Sequence, residues 1–289
     1  MQRIELVRPR PTTLVCGARE ILLQNNSVMG KVYFFHDITR DEEIDRIKND
    51  FLTHATHELR TPLSSILGYA ELLQAGRVPP AMQTGIFANI YRQSQHMVKM
   101  INELLDLTNL AERAGVDFNI MSYSLNELIE AALGSFTPPP SRSDIIFNRP
   151  HFDLTVHADR PRFVQVLVNL LDNAYKYSQD GDVSVSVELD NVANYAIVLI
   201  EDQGLGMTEN ELAQVFDRFY RADKSGNIPG TGLGLSLAKE IMTVLNGSIE
   251  INSQIGEGST VRVKLPVQSI QDESHSVSTD ANHKNIEET

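Results

Sequence analysis

Between Asp41 and Leu73 the apolar residues fall three or four positions apart: Ile44, Ile47, Phe51, Ala55, Leu59, Leu63, Ile66, Ala70 and Leu73. That spacing sets them along one stripe of an α-helix. The stretch "QAGRVPP" at 74–80 supplies the glycine and prolines that interrupt it. A second stripe follows in Ile86, Ile90, Met97, Ile101, Leu104, Leu105 and Leu107. Two helices joined by a short loop make an αα-hairpin. A hairpin alone covers only one side of each helix, so residues 39–113 are expected to pair with a second copy as a dimeric antiparallel four-helix bundle.

The chain on either side has a different grain. Residues 1–38 read as three short strands, "RIELVRP", "TTLVCGAREILLQ" and "GKVYFFHDI", bounded by Pro, Asn and Gly. Three strands are few for an independent sheet, so this segment is expected to be part of a larger domain or to pack on a dimer partner. From Val116 strands and helices interleave. "DFNIMSYS", "DLTVHAD", "GDVSVSVEL" and "NYAIVLIEDQG" read as strands, and "GSIEINS" with "GSTVRVKLP" as a closing hairpin. "LNELIEAALGSF", "RPRFVQVLVNLLDNAYKYS", "TENELAQVF" and "LGLSLAKEIMTVL" read as helices, the third opening on a Thr208/Glu211 capping box. Several strands adjoin directly, so 114–266 is expected to be an α/β sandwich and the whole chain an α+β multidomain protein. "TPPPSRSD" at 137–144 reads as a surface loop, and the polar, acid-rich stretch 267–289 as a disordered tail.

Composition narrows the function. A net charge of -13 over 289 residues argues against nucleic acid and against anionic membrane surfaces as partners. The single cysteine, Cys16, permits no internal disulfide and no cysteine zinc site, which fits a cytoplasmic setting. No apolar run approaches the ~18–20 residues that span a bilayer, so no direct membrane insertion is expected, although a parent protein could be tethered through other parts.

Three short motifs carry chemistry. In "NLLDNAYKYS", Asn169 and Asn173 lie one helical turn apart inside a leucine-rich helix. Amide oxygens are hard, neutral ligands suited to Mg²⁺, and Lys176 is placed for phosphate. A polar solvent stripe is an equal reading of this piece by itself. "EDQGLGM" follows an apolar strand. It offers Gly204 and Gly206 for a tight turn or close ligand approach and Asp202 for a base amino group; a plain strand-to-helix loop is the rival. "GTGLGLS" sets Gly230, Gly232 and Gly234, with Thr231 and Leu233 between them, before a helix whose free N–H groups favour phosphate. It lacks the Gly-Lys-Ser/Thr of a Walker loop, and a hinge before a helix would look similar.

Their order is more specific than any one of them. With "HELRTPL" and "FDRFYR" they form a series that closely resembles the sensor histidine kinases of two-component systems: "HELRTPL" is similar to the H box, "NLLDNAYKYS" to the N box, "DQGLGM" to the G1 box, "FDRFYR" to the F box and "GTGLGLS" to the G2 box. The resemblance covers roughly residues 41–266. Residues 1–38 resemble the C-terminal part of a PAS sensor domain.

The resemblance implies an ATP-binding domain of the gyrase, heat-shock 90 and histidine kinase type. It implies autophosphorylation of His57 from ATP and transfer of the phosphoryl group to an aspartate of a response regulator receiver domain. Glu58 would orient the ring and take its proton, and Thr61 would support phosphatase activity. Asp202 would bind the adenine amino group and Tyr177 would lie near the base. Asn173, helped by Asn169, would hold Mg²⁺, and Lys176 would contact phosphate. Gly230, Gly232 and Gly234 would shape the phosphate loop. Residues 217–229 would form a lid carrying Arg221 and Lys224. A kinase-silent phosphatase, or an ATPase of the same nucleotide fold, is the alternative reading.

The H box also makes physical sense residue by residue. Phosphoryl transfer needs a neutral imidazole nitrogen in line with the γ-phosphate, and an imidazole is largely neutral near pH 7. His57 lies two positions from Leu59, hence off the apolar stripe and toward solvent. Pro62 removes an N–H that would bond the Glu58 carbonyl, so a bend beside the acceptor is expected. Spacing alone does not pair Glu58 with His57, since neighbours on a helix diverge. His54, one turn earlier, could be a second acceptor, a metal partner or a bystander.

Overall fold

In the computed structural model, residues 2–6, 12–22, 28–113, 118–139, 142–178, 181–190, 192–223 and 228–272 are described. The chain divides into two compact units, residues 1–93 and 94–289.

The first unit opens with three antiparallel strands, β1 (Gln2–Leu6), β2 (Thr12–Leu22) and β3 (Val28–Asp37), ordered β1-β2-β3. Asp37 ends the sheet and starts a helix: its carboxylate accepts from the Thr39 backbone N–H (3.0 Å) and from the Thr39 hydroxyl (2.6 Å). Helix α1 (Thr39–Gln74) then runs unbroken through Pro62, and α2 (Pro80–Arg113) follows after "AGRVP", its residues from 94 onward belonging to the second unit. Pro62 does not end the helix; it is one of only two buried α1 residues, with Ala55. The apolar stripe is displaced from the expected one. Phe51, Ala55, Leu59, Pro62, Ile66, Tyr69 and Leu73 are the less exposed positions, whereas Ile44, Ile47 and Leu63 are each more than half exposed. Leaving proline and tyrosine out of the apolar set hid Pro62 and Tyr69, which occupy less exposed positions.

The second unit is a mixed sheet covered by helices. Strand β4 (Met121–Ser124) leads into α3 (Leu125–Ser135), where Ser124 caps the helix by accepting from the Glu127 N–H. Then come β5 (Ile146–Asn148), β6 (Phe152–Ala158), α4 (Arg160–Tyr177), β7 (Val183–Asp190) and β8 (Tyr195–Asp202). The chain closes with α5 (Glu209–Gln214), α6 (Gly234–Val244), β9 (Ser248–Gln254) and β10 (Gly258–Asp272). The expected capping box at α5 is present in both directions. The sheet order is β4-β6-β10-β8-β7-β5 with β9 also on β10, and among the described strands only β5 and β7 pair in parallel.

The core lies between the sheet and α3, α4 and α6. Leu128 and Ile129 of α3, Phe163, Val166, Leu167 and Leu170 of α4, and Leu237 and Ile241 of α6 are essentially sealed from solvent, as are Val156, Val198 and Val263 of the sheet. Burying side chains of this size contributes roughly 1.5–3 kcal/mol each.

One expectation is corrected here. The ordered domain does not stop at residue 266: β10 continues to Asp272, pairing antiparallel with β6 after a register shift at Val267/Ser269. The segment looked aperiodic because a β-bulge breaks the alternation on which the reading relied. Strand β5, inside "IIFN", had no pattern long enough to read. The remainder of the expected tail, 273–289, lies outside the described residues.

Candidate functional site

The acceptor candidate stands on the helical hairpin. The His57 side chain is 75% exposed, and its Nδ1 lies 3.7 Å from Oε1 of Glu58. That is too long for a good hydrogen bond. Structure nevertheless pairs two neighbours that helix spacing does not. Thr61 Oγ1 donates to the His57 carbonyl at 3.4 Å, the far limit of such a bond, and is exposed on the following turn. His54 is also exposed. Among the described residues no group of three or more His, Cys, Asp or Glu side chains is placed to hold a metal ion.

The nucleotide candidate is built around α4. Asp159 fixes its start by accepting from the Arg162 N–H at 3.0 Å and from the Asn119 N–H at 2.8 Å. With Phe163, Val166, Leu167 and Leu170 committed to the core, the stripe Asn169, Asp172, Asn173, Lys176 and Tyr177 is left half-buried. The Asn169 amide nitrogen is buried with no hydrogen-bond partner. Buried polar atoms of that kind are costly. Which edge of an amide is O and which is N is an assignment, so the unmet need belongs to the whole amide. Gly234 packs beside it: a Cβ there would come within 3.8 Å of Asn169 Cγ.

Asp202 ends β8. Its Oδ1 accepts from the Gly204 N–H at 2.9 Å. Burial pushes its carboxyl above the usual range, against the pull of backbone bonds from Gly204 and Ser259. The turn after it leaves no room for a Cβ at its two glycines. A Cβ at Gly204 would sit 2.4 Å from the Tyr177 carbonyl oxygen, and one at Gly206, whose φ is +65°, 1.9 Å from that of Gln254. The Leu205 N–H closes the seam onto the Tyr177 carbonyl at 3.0 Å. Burial also pushes the Tyr177 phenol up.

Of the three expected loop glycines, Gly232 is the one the backbone demands. Its φ is +69°, a Cβ would lie 2.6 Å from the Phe219 carbonyl carbon, and its own carbonyl accepts from the Phe219 N–H at 2.9 Å. Phe219 itself sits at φ +65°, costly for an aromatic residue. A Cβ at Gly230 would meet nothing within 4 Å, and the Gly234 contact is ordinary. Leu233 is fully buried, so it offers the site backbone only. It precedes α6 without any side-chain cap, which leaves first-turn N–H groups facing the loop.

The lid is only partly described. Arg221 Nη2 donates to the Ile228 carbonyl at 2.7 Å while its Nε is buried without a partner. Lys224 lies outside the described residues. Lys176 is held by Asp172 at 2.7 Å rather than pointing free. Burial pushes the Asp172 carboxyl up, but Lys99 and Lys176 outweigh it and hold it below the usual range.

Three contributors escaped the sequence reading. Asp172 was legible as an i,i+4 partner of Lys176. Arg142, inside the "TPPPSRSD" loop, donates to the carbonyls of Tyr175, Ser178 and Gly181 and so caps the end of α4. Glu103, an acid in the middle of the second apolar stripe, accepts from the Thr231 hydroxyl, a contact for which the local sequence gave no signal.

The chain is similar to known proteins over most of its length. Residues 47–113 match the His Kinase A (phospho-acceptor) domain. Residues 158–269 match the histidine kinase-, DNA gyrase B- and HSP90-like ATPase family. The chain is 31% identical over 264 residues to sensor protein kinase WalK of Staphylococcus aureus, covering 87% of this chain and 61% of that relative. It covers 42% of WalK from strain JH9 at the same identity. Among solved structures, Acinetobacter baumannii histidine kinase AdeS matches at 26% identity and TM-score 0.57, over 74% of this chain and 98% of that one. Histidine kinase ThkA, in complex with response regulator protein TrrA, shares the fold at TM-score 0.61 and 19% identity, over 91% of this chain and 78% of that one.

Proposed function

Because the chain belongs to the sensor histidine kinases of two-component systems, we propose that it phosphorylates its own His57 from ATP and passes the phosphoryl group to an aspartate of a response regulator. The exposed His57 with Glu58 at its Nδ1 supports this most directly. In the proposed step the Nε2 lone pair attacks the γ-phosphorus, the bond to the β-phosphate oxygen breaks, ADP leaves, and Glu58 takes the Nδ1 proton. Asp202 binds the adenine amino group, and Tyr177 flanks the base. Gly204 and Gly206 let the chain approach it. Residues 230–234, with Thr231, receive the phosphates beside the uncapped start of α6. Arg221 and Lys176 supply positive charge.

The unpartnered, buried amide of Asn169, with Asn173 one turn on, fits a hard cation that takes oxygen ligands. These two residues would hold Mg²⁺, which supplies charge neutralisation on the phosphates when bound. Thr61, on the turn after His57, would orient a water for dephosphorylation of the regulator.

The assembly is proposed to be a homodimer. Leu63 and Leu67 of α1 and Phe87, Tyr91, Val98 and Leu105 of α2 remain exposed at heptad-like steps, the pattern of a helix face awaiting another helix. WalK relatives extend well beyond the matched length. We read residues 1–38 as the C-terminal part of a PAS-like sensor domain. No helix among the described residues is long and apolar enough to cross a membrane.

The test is autophosphorylation with γ-labelled ATP and Mg²⁺. Acid-labile, base-stable label should form in the wild type and in His54→Gln and vanish in His57→Gln. Label persisting in His57→Gln would refute the assignment.

A further inference from the structure

The C-terminal half of α2 carries an acid that the proposed reaction does not use. Glu103 is only 5% exposed, and its Oε2 accepts a 2.5 Å hydrogen bond from the hydroxyl of Thr231, itself 6% exposed. Thr231 lies in the loop read above as the phosphate receiver, and the same hydroxyl accepts from the Leu233 N–H at 3.2 Å. Burial pushes the Glu103 carboxyl up, while Thr231, Lys99 and Lys176 pull it back. The contact has neighbours on both sides. One turn before it, Lys99 reaches Asp172 of α4 at 3.0 Å. One turn after it, Asp106 accepts from Arg162 at 2.7 Å and from Gln165 at 2.9 Å. Met100 and Leu107 seal the same face of α2.

A carboxylate on this hydroxyl does two things. It occupies a donor that a phosphate oxygen would use. It also brings negative charge against the place where a triphosphate would lie, in surroundings too dry to screen it. Lys99, meanwhile, shares Asp172 with Lys176, so the second arm engages the same ion pair as a residue read as a phosphate contact.

We propose that residues 99–106 of α2 form an internal latch, in which Glu103 holds Thr231 in place of a nucleotide phosphate, so that ATP binding and release of α2 from the loop are linked. The latch rests on reading 230–234 as the phosphate loop. Linkage is reciprocal: whatever withdraws Glu103 raises ATP affinity, and ATP expels Glu103 by the same factor.

Calorimetric titration of the full chain with Mg²⁺-ATP tests this in wild type, Glu103→Ala, Glu103→Gln and Asp202→Asn. Glu103→Ala should bind ATP roughly 5- to 100-fold more tightly than wild type, Glu103→Gln more tightly by a smaller factor because its amide oxygen can still accept from Thr231, and Asp202→Asn should bind weakly or not at all. A purely structural Glu103 would move affinity the other way, and Glu103→Gln keeps the shape if Glu103→Ala fails to fold. Unchanged or weaker binding in the folded Glu103 variants, with Asp202→Asn still defective, overturns the latch and leaves the nucleotide site standing. Asp202→Asn binding like wild type, or no binding by any protein, overturns the nucleotide reading and the latch with it.

Discussion

His57 stands on a helix that keeps only Ala55 and Pro62 from water, whereas Asp202 ends a strand in which five consecutive residues, 196–200, are buried. The proposed acceptor is a single exposed side chain with one carboxylate at 3.7 Å. The nucleotide candidate is the reverse: left-handed backbone at Gly206, Gly232 and Phe219, carbonyls packed against missing side chains, and a carboxylate held by backbone N–H groups. The contrast follows from the chemistry each must do. A group proposed to meet two different partners in turn must stay accessible. A pocket that grips one ligand gains by being rigid before the ligand comes.

The widest gap between the two regions should appear in His57→Gln, which abolishes labelling yet leaves thermal stability within about 0.5 kcal/mol, as for other surface substitutions. A clear drop in melting temperature would break the contrast. Gly206→Ala should show the opposite pattern, costing about 2–4 kcal/mol of the nucleotide domain's stability, because φ is positive and a Cβ would strike the Gln254 carbonyl. Chemical denaturation followed in that domain checks it. Leu63→Asp, on the exposed face of α1, should shift the dimer toward monomer in sedimentation while leaving ATP binding unchanged; a monomeric wild type would remove the premise.

A smaller effect concerns pH. Burial raises the Asp202 carboxyl, and a donor from adenine would favour its ionised form. ATP affinity should therefore rise as pH rises through the upper carboxylate range, which calorimetric titration of the wild type at several pH values checks. The sign for stability is the reverse: a raised acid pKa makes this group destabilising once ionised and less so as pH falls. Smallest is Thr208→Ala, which removes the observed cap of α5 and should cost about 1 kcal/mol.

Much of this was legible from the chain. Periodicity located α1, α2 and the break between them, and the glycine and asparagine boxes marked what the nucleotide domain brings together: Asn169 beside Gly234, Gly204 against Tyr177. What escaped was whatever depends on residues far apart in sequence. The Thr231–Glu103 bond joins positions 128 residues apart, and no local pattern encodes it. Arg142 reads as one more polar loop residue until its guanidinium is seen capping α4. The inward stripe of α1 was misdrawn because proline and tyrosine were not counted as packing residues. The continuation of β10 was missed because a bulge hides alternation.

That last strand has a consequence for how the domain comes into being. The pair β4–β6 and the trio β8-β7-β5 meet only at β10, the final element of the sheet in sequence. During synthesis the earlier strands and α3, α4 and α6 emerge without the strand that joins them, and non-local pairing of this kind is slow to form. The two partial sheets must wait, edges open, for β10 to arrive. The nucleotide domain thus has no half-built working form, and the nascent chain is most exposed to misassociation just before its closing strand appears.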